Sequence, residues 1–414
     1  MNGQPSLPPA LILGGDSAIA LAVIRELGSH GVPVIVADNA PHALARHSRH
    51  VHRFILTPRG EDQPLARWLP SLIEESGAKL LFAIGEQALL ELAELSEIIH
   101  GCQILTPRRE QLANVLDKSR TLAIARELGF SVPESWHPVA GEDFQVRAAA
   151  VHYPVVLKWS DPPALWPKLE AAGLPFLKAE YAANPAELIE CLSRYDSLGQ
   201  WPMVQSWCKG YGLGQMLLME DGQAVLRFQH RRLREYPATG GVSTLCTALP
   251  ADSHRAQMQL SERLLAALDW RGSAMVEYRY DPATGRYWLM EVNGRFWGSL
   301  SLASQCGVPF AWEAYRRAVL PDTPGHAPRP GWPLRRARFV LPDTKRLLTL
   351  WANPALPTQS GGPRASRWRE TLHWLADFLH PRTGYYIWSW RDPAPFFMDM
   401  ITAVLRRRHR HKDA

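Results

Sequence analysis

Along the first hundred residues, short apolar runs alternate with longer stretches of helical spacing. Ala10-Leu-Ile-Leu13 is an apolar run stopped by Gly14-Gly15, and Ser17 is placed to cap a helix running to about Gly28. Val32–Ala37 is a second apolar run, ending at Asp38. A helical stretch over Gln63–Ser76 leads to a third, Lys79–Ile84. Strand and helix in alternation with short connections predict a parallel, right-handed α/β unit, which would end near residue 115.

Beyond that point the pattern changes. A helix is expected over Asp117–Gly129, then a strand over Tyr153–Lys158, a helix over Ala186–Tyr195 and a strand over Pro202–Trp207. Gly214–Met219, Ala224–Gln229, Ala274–Tyr280 and Arg286–Val292 read as antiparallel strands, interrupted by a helix over Ser253–Leu268. The middle of the chain is therefore α+β. Leu320–Pro333 reads as a Pro/Gly-rich linker, and the remainder is rich in Trp, Arg and Pro.

Composition narrows the function classes. The 414 residues are 46% hydrophobic and 21% charged, an ordinary globular balance. The five cysteines are scattered with no C-x-x-C pair, which argues against structural zinc and for a reducing compartment. No apolar run reaches a membrane span, and the opening residues lack a basic n-region, so a cytoplasmic protein is expected. The formal net charge is +6, of which the last nine residues hold +4. The body is nearly neutral, so no nucleic-acid partner is expected.

The chemistry concentrates in two strands. Met275-Val-Glu277-Tyr-Arg279 and Met290-Glu291-Val-Asn293-Gly-Arg295 flank the turn sequence Asp281-Pro-Ala-Thr-Gly-Arg286 and form a hairpin. Alternation puts Met275, Glu277 and Arg279 on one face of the first strand, and Leu289, Glu291, Asn293 and Arg295 together on the second. A three-residue loop sets Glu277 opposite Glu291; a four-residue loop makes them diagonal. Facing carboxylates repel unless a cation lies between them. The oxygen ligands Glu277, Glu291 and Asn293 suit Mg²⁺ or Mn²⁺ bound jointly with a phosphate.

Glu291-x-Asn293-x-Arg295 followed by Gly298-Ser299, with Glu277 one strand earlier, resembles the metal and phosphate hairpin of the ATP-grasp superfamily, in particular carboxylate–amine ligases related to the carbamoyl-phosphate synthetase large subunit. Asp117-Lys118 and Val155-Val-Leu-Lys158 match that family's two nucleotide lysines. Met203-Val-Gln205-Ser206-Trp207-Cys208 falls where the family has its adenine-binding hinge strand. The resemblance covers about residues 8 to 320. It implies a Rossmann-like α/β domain over 1–115 and an α+β ATP-grasp domain over 116–325, with its lid at about 135–205 and its metal and catalytic part at about 206–325. A C-terminal extension with a basic tail occupies 326–414. It further implies ATP and Mg²⁺ (or Mn²⁺) as cofactors, small-molecule carboxylate and amine substrates, and an acyl-phosphate intermediate. Arg295 would stabilise the transferring phosphoryl.

Between hinge and hairpin lies the basic stretch His230-Arg231-Arg232-Leu-Arg234, then Gly240-Gly241-Val-Ser243-Thr244. Arginine forks recognise carboxylates and phosphates, and glycines admit close backbone approach. The resemblance sets this segment beside the acceptor, so Arg232 or His230 is expected to meet the carboxylate substrate, with Arg231, Ser243 and Thr244 lining the pocket. Two departures stand out. No glycine follows Lys158 until Gly173; Lys178 reads first as a surface lysine and second as a substitute phosphate contact. Gln205 stands where many relatives have a carboxylate.

Two other readings compete. Gly14-Gly15 with Asp38 resembles a dinucleotide site, but the G-x-G-x-x-G spacing is absent. A non-catalytic nucleotide-binding scaffold would keep the site residues without turnover. The aromatic C-terminal segment Tyr385–Leu405 with its basic end reads either as a docked terminal helix or as a peripheral membrane contact; oligomeric state stays open.

Overall fold

The computed structural model describes residues 7–58, 63–160, 162–177, 179–325, 331–360 and 364–410. Lys178 and Lys412 lie outside these.

The apolar runs of the N-terminal part become buried strands of one sheet. Its elements are β1 (Ala10–Leu13), α1 (Ala18–Ser29), β2 (Val34–Asp38), β3 (Val51–Leu56), α2 (Leu65–Ser76), β4 (Leu80–Ala83), α3 (Glu86–Leu92), β5 (Ile98–Ile99) and β6 (Cys102–Leu105). The order is β3-β2-β1-β4-β6-β5, parallel except for β5 against β6. Ser17 caps α1 by accepting from the Ala20 N–H. Strand β3 was not visible in the sequence pattern, because its residues are half-buried or exposed at the sheet edge and include His52 and Arg53. Two helices follow, α4 (Arg109–Leu116) and α5 (Lys118–Glu127), the second capped by the Asp117 carboxylate.

A small antiparallel sheet comes next, ordered β7-β10-β8-β9 and built from β7 (Ser135–Trp136), β8 (Val155–Lys158), β9 (Glu180–Ala182) and β10 (Met203–Ser206). Helices α6 (Phe144–Ala150), α7 (Pro162–Ala171) and α8 (Pro185–Ser193) connect them. The glycine-free segment after Lys158 thus enters a helix.

The third sheet is the largest: β11 (Tyr211–Glu220), β12 (Gln223–Tyr236), β13 (Val242–Ala248), β14 (Gly272–Asp281), β15 (Arg286–Asn293), β16 (Arg336–Arg338) and β17 (Thr383–Tyr385), in the order β15-β14-β11-β12-β13-β16-β17. Helices α9 (Arg255–Ala267), α10 (Leu300–Gln305), α11 (Phe310–Val319), α12 (Val340–Ala352), α13 (Arg367–Leu379) and α14 (Ala394–Arg410) accompany it. The basic stretch continues a strand: β12 runs to Tyr236, so His230–Arg234 are strand residues, and Ser243 and Thr244 belong to β13. Register irregularities around Arg232, Arg234 and Glu235 interrupt the alternation that would have revealed the strand. Residues 336–338 and 383–385 join the same sheet, so the C-terminal segment is part of its hydrogen-bonded ladder.

The terminal segment is docked. The buried Asp392 accepts from Arg25 Nε (2.8 Å), Ser48 Oγ (2.7 Å) and the Arg49 N–H (2.9 Å), tying the residues before α14 to α1 and to the segment before β3. Phe396 packs against the core shared by the first and third sheets. Among the described residues no helix is long and apolar enough to cross a membrane.

Candidate active site

The hairpin β14–β15 has a four-residue turn, Pro282–Gly285, since Asp281 pairs with Arg286. Taken alone, that turn would leave Glu277 and Glu291 diagonal. A bulge beyond Glu277 shifts the register by one residue, so that Glu277 pairs directly with Glu291 while Tyr278 pairs with Leu289. The same bulge turns Leu289 away from the carboxylate face and into the core with Tyr278, Val276 and Val292, correcting the simple alternation.

A transverse row crosses the sheet at this level: His230 opposes Gly214, Gly214 opposes Glu277, and Glu277 opposes Glu291. Two positions on β11, Gly212 and Gly214, lack side chains there. A Cβ on Gly212 would sit 2.8 Å from Arg232 Cδ, and one on Gly214 would sit 2.8 Å from His230 Nε2. The two glycines form a trough through which the Arg232 guanidinium crosses β11. It reaches Glu277, with Glu235 Oε1 at 3.1 Å and the Gly241 carbonyl at 3.2 Å as further acceptors. Arg279 closes the network on Glu235 at 3.0 Å. Arg279 was placed on the Glu277 face by alternation, whereas Glu235 and the glycine pair were not singled out in the sequence; the Gly-Leu-Gly spacing on β11 was the available signal.

Burial pushes the Glu277 carboxyl above its usual range and Arg232 opposes this, while Glu291 and Glu235 raise it further by like charge. Lys118, at the first turn of α5, lies 3.5 Å from Glu291. Its backbone N–H donates to the Ser160 carbonyl (3.2 Å), coupling α5 to the segment after β8. Lys158 ends β8; burial pushes its ammonium down, Glu291 opposes that shift, and Lys118 adds to it. Glu277, Glu291, Lys118, Lys158 and Arg232 thus form one electrostatic cluster, to which Asn293 belongs by donating its amide to Glu291 Oε1 (3.2 Å).

The amide oxygen of Asn293 and the two carboxylates are hard donors, and the like-charge pair is the arrangement a divalent cation relieves. Among the described residues no group of three or more His, Cys, Asp and Glu side chains is placed to hold a metal ion. A cation here would therefore rest on two carboxylates, one amide and ligand oxygens.

The other residues of interest are distributed around this cluster. His230 is buried and pairs through Nδ1 with Ser299 Oγ (3.0 Å); burial beside Arg232 pushes it down to about 3, so it carries no charge near neutral pH. Arg295 donates from Nε to Glu86 Oε1 at 2.9 Å, which fixes Glu86 at the start of α3. On the hinge, buried Gln205 donates to Ser135 Oγ (3.3 Å), the Trp207 N–H donates to the Pro154 carbonyl (3.2 Å), and Ser206 pairs with Val155. Burial pushes the Cys208 thiol up to about 11, with Lys158 and Arg279 among its charged neighbours.

Two residues expected in the pocket point elsewhere. Arg231 is exposed and lies over the Tyr211 ring at 4.1 Å, because alternation on β12 sends it away from the face of His230 and Arg232. Thr244 is buried and donates to Asp343 (3.0 Å), in a network that joins β12 and β13 to α12. Ser243 stands opposite Glu235. Gly240-Gly241 accommodate protein rather than ligand: a Cβ on Gly240 would meet Tyr181 Oη at 2.8 Å, and one on Gly241 would collide with the Tyr236 carbonyl.

A cavity of about 560 Å³ opens beside Arg295, between the ends of β4 and β6 and the segments 221–222 and 269–273. Its walls include Phe82, Leu105, Leu218, Trp270 and Phe296. The dinucleotide reading meets an obstacle at Asp38, whose carboxylate accepts from the backbone N–H groups of Gly15 and Asp16 and so holds the first turn.

No protein-family model matches the sequence. Solved structures do match the fold. An L-amino acid ligase from Bacillus licheniformis aligns at 16% identity over 76% of this chain and 75% of that one, with a TM-score of 0.57. A biotin carboxylase from Campylobacter jejuni, in complex with β-γ-ATP, aligns at 13% identity over 79% and 74%, TM-score 0.59. An N5-carboxyaminoimidazole ribonucleotide synthetase in its ADP complex aligns at 11% identity over 84% and 86%, TM-score 0.59. This chain therefore shares the overall fold of these ligase and carboxylase structures.

Proposed function

We propose that this chain is an ATP-dependent ligase that joins a carboxylic acid to an amine through an acyl phosphate. The observation that carries the reading is the directly opposed pair Glu277 and Glu291, embedded among Lys118, Lys158, Arg232 and Asn293. On this reading residues 1–115 form the Rossmann-like domain, 116–325 the ATP-grasp domain and 326–414 an extension.

Glu277, Glu291 and the Asn293 oxygen would hold Mg²⁺, whose chemistry there would be to neutralise phosphate charge. Lys118 and Lys158 set point charges against the phosphate oxygens. The hinge residues 205–208 offer backbone groups to the adenine edge. A carboxylate oxygen of the substrate attacks the γ-phosphorus and ADP leaves. The amine then attacks the acyl carbon, phosphate departs, and one proton is released. The protein's part is positioning and charge neutralisation, worth many orders of magnitude in rate when the groups are held in place. His230, being neutral, serves as a fixed support for Ser299 beneath Gly214 rather than as a cation. Arg295 looks from the metal hairpin toward the 560 Å³ cavity, which suits it as the acceptor pocket.

The test is ADP release with Mg²⁺ across pairs of small carboxylates and amino compounds. Release that needs both partners, and is abolished by Lys158→Met and Glu291→Gln in folded protein, is the expected result. Nucleotide binding without turnover for any pair would favour the scaffold reading. Turnover that survives both substitutions would overturn the site assignment.

A further inference from the structure

Helix α13 is packed inside out. Its inward face is charged: Asp377 pairs with Arg234 (2.7 Å) and Arg336 (3.3 Å), and Glu370 pairs with Arg346 (2.7 Å). The buried Arg338, itself paired with Asp343 at 2.8 Å, lies under the rings of Trp374 (4.9 Å) and Phe378 (4.2 Å). These contacts fix which side faces the protein. The outward side is apolar: Trp368, Leu372, Leu375 and Leu379 are 71%, 65%, 50% and 85% exposed. At 3.6 residues per turn these four fall within about 60° of one another, with Asp377 opposite. Arg367 and Arg369 flank the stripe about 100° to either side. Leu348 and Trp351 of α12 are exposed as well, and the Trp351 and Trp368 rings meet at 5.3 Å.

Charge follows the same segment. Residues 331–414 hold fifteen Lys and Arg against six Asp and Glu, more than the whole net charge of +6, so the rest of the chain is net negative. Four of the six acids (Asp343, Glu370, Asp377 and Asp392) are bound in ion pairs with arginines of the fold. Arg364, Arg367 and Arg369 remain exposed beside the stripe. Helix α14 has the same composition, with Phe397, Met400 and Ile401 exposed and Arg406–Arg408 following in sequence.

We propose that the α12–α13 face is a membrane-docking surface that seats this protein on a bilayer rich in anionic lipid. A stripe of Trp and Leu flanked by arginines is the composition of an interfacial helix, whose apolar side enters the headgroup boundary while cations meet lipid phosphates. A second copy of the chain is the poorer occupant, because stacking two such faces would bring their arginines together. The surface is built from residues outside the ATP site, so the proposal stands whether or not the ligase reading does.

The test is co-sedimentation of the full chain with phosphatidylcholine vesicles containing 30 mol% phosphatidylglycerol, against phosphatidylcholine alone. Binding is expected only to the anionic vesicles, and to fall as salt is raised. Leu372→Glu with Leu379→Glu should weaken it at least tenfold, and Arg369→Gln about fivefold. Melting temperatures should stay unchanged, since these side chains are exposed. Absence of binding to the anionic vesicles at low salt would overturn the proposal. So would undiminished binding by the Leu372→Glu/Leu379→Glu variant, or a wild-type dimer in sedimentation velocity that the same pair of substitutions dissociates.

Discussion

Removing the Arg232 cation by Arg232→Gln tests the electrostatic design of the site. The side chains of Arg232 and Glu277 are 12% and 13% exposed, so the pair is screened little by solvent. Loss of one partner of such a pair costs about 3–5 kcal/mol. Glu235 keeps Arg279 and Glu291 keeps Lys118, which places the expected loss near the lower end, about 3 kcal/mol, or roughly 3–4 °C in melting temperature for a chain of this length. The pH dependence has a definite sign. A carboxyl whose folded pKa is raised stabilises the fold below its unfolded value and loses that contribution as pH climbs toward the folded value. Glu277 is raised by burial even with Arg232 present, and without it rises further. The deficit of the variant should therefore be largest near pH 8 and shrink toward pH 5. Millimolar Mg²⁺ with nucleotide should recover part of it by replacing the missing cation. Thermal melts of both proteins at pH 5, 6.5 and 8, with and without Mg²⁺-ADP, supply the measurement. A variant that melts within 1 °C of the parent at pH 8, or whose deficit grows on acidification, refutes the reasoning.

Glu26, buried beneath α10 and α11 and accepting from Ser304 Oγ and the Trp312 N–H, is pushed up to about 7 by burial. Its contribution is lost as pH rises from about 4.5 toward 7, so Glu26→Gln should stabilise the protein by about 2 kcal/mol at pH 8 and by little at pH 5; denaturant titrations giving equal effects at both pH values would contradict this. Gly294 sits against the Trp270 indole, and a Cβ there would collide with the ring. Gly294→Ala should cost about 1–3 kcal/mol and displace Asn293 and Arg295, lowering ADP release more than the melting shift alone would; unchanged activity would show that the indole does not set this backbone.

The chain's own pattern determined the apolar strands β1, β2 and β4, the capped helix α1 and the hairpin that carries Glu277 and Glu291. In each case one local period or one turn motif suffices, because these elements bury a contiguous apolar run or a regular face. Tertiary structure alone decided the rest. The opposition of Glu277 and Glu291 depends on a bulge whose extra residue has no signature in Trp288-Leu-Met-Glu291. The sequence left a strand and a ligand-binding loop in competition over His230–Tyr236, because the inward residues there are arginines paired across the sheet rather than apolar side chains. The outward apolar stripe of α13 reads in sequence as an ordinary buried face; only the partners of Asp377 and Glu370, supplied by Arg234, Arg336 and Arg346 from elsewhere in the chain, reveal which side of that helix meets the protein. Local periodicity records that a face is apolar or charged, whereas long-range pairing determines the side to which it is turned.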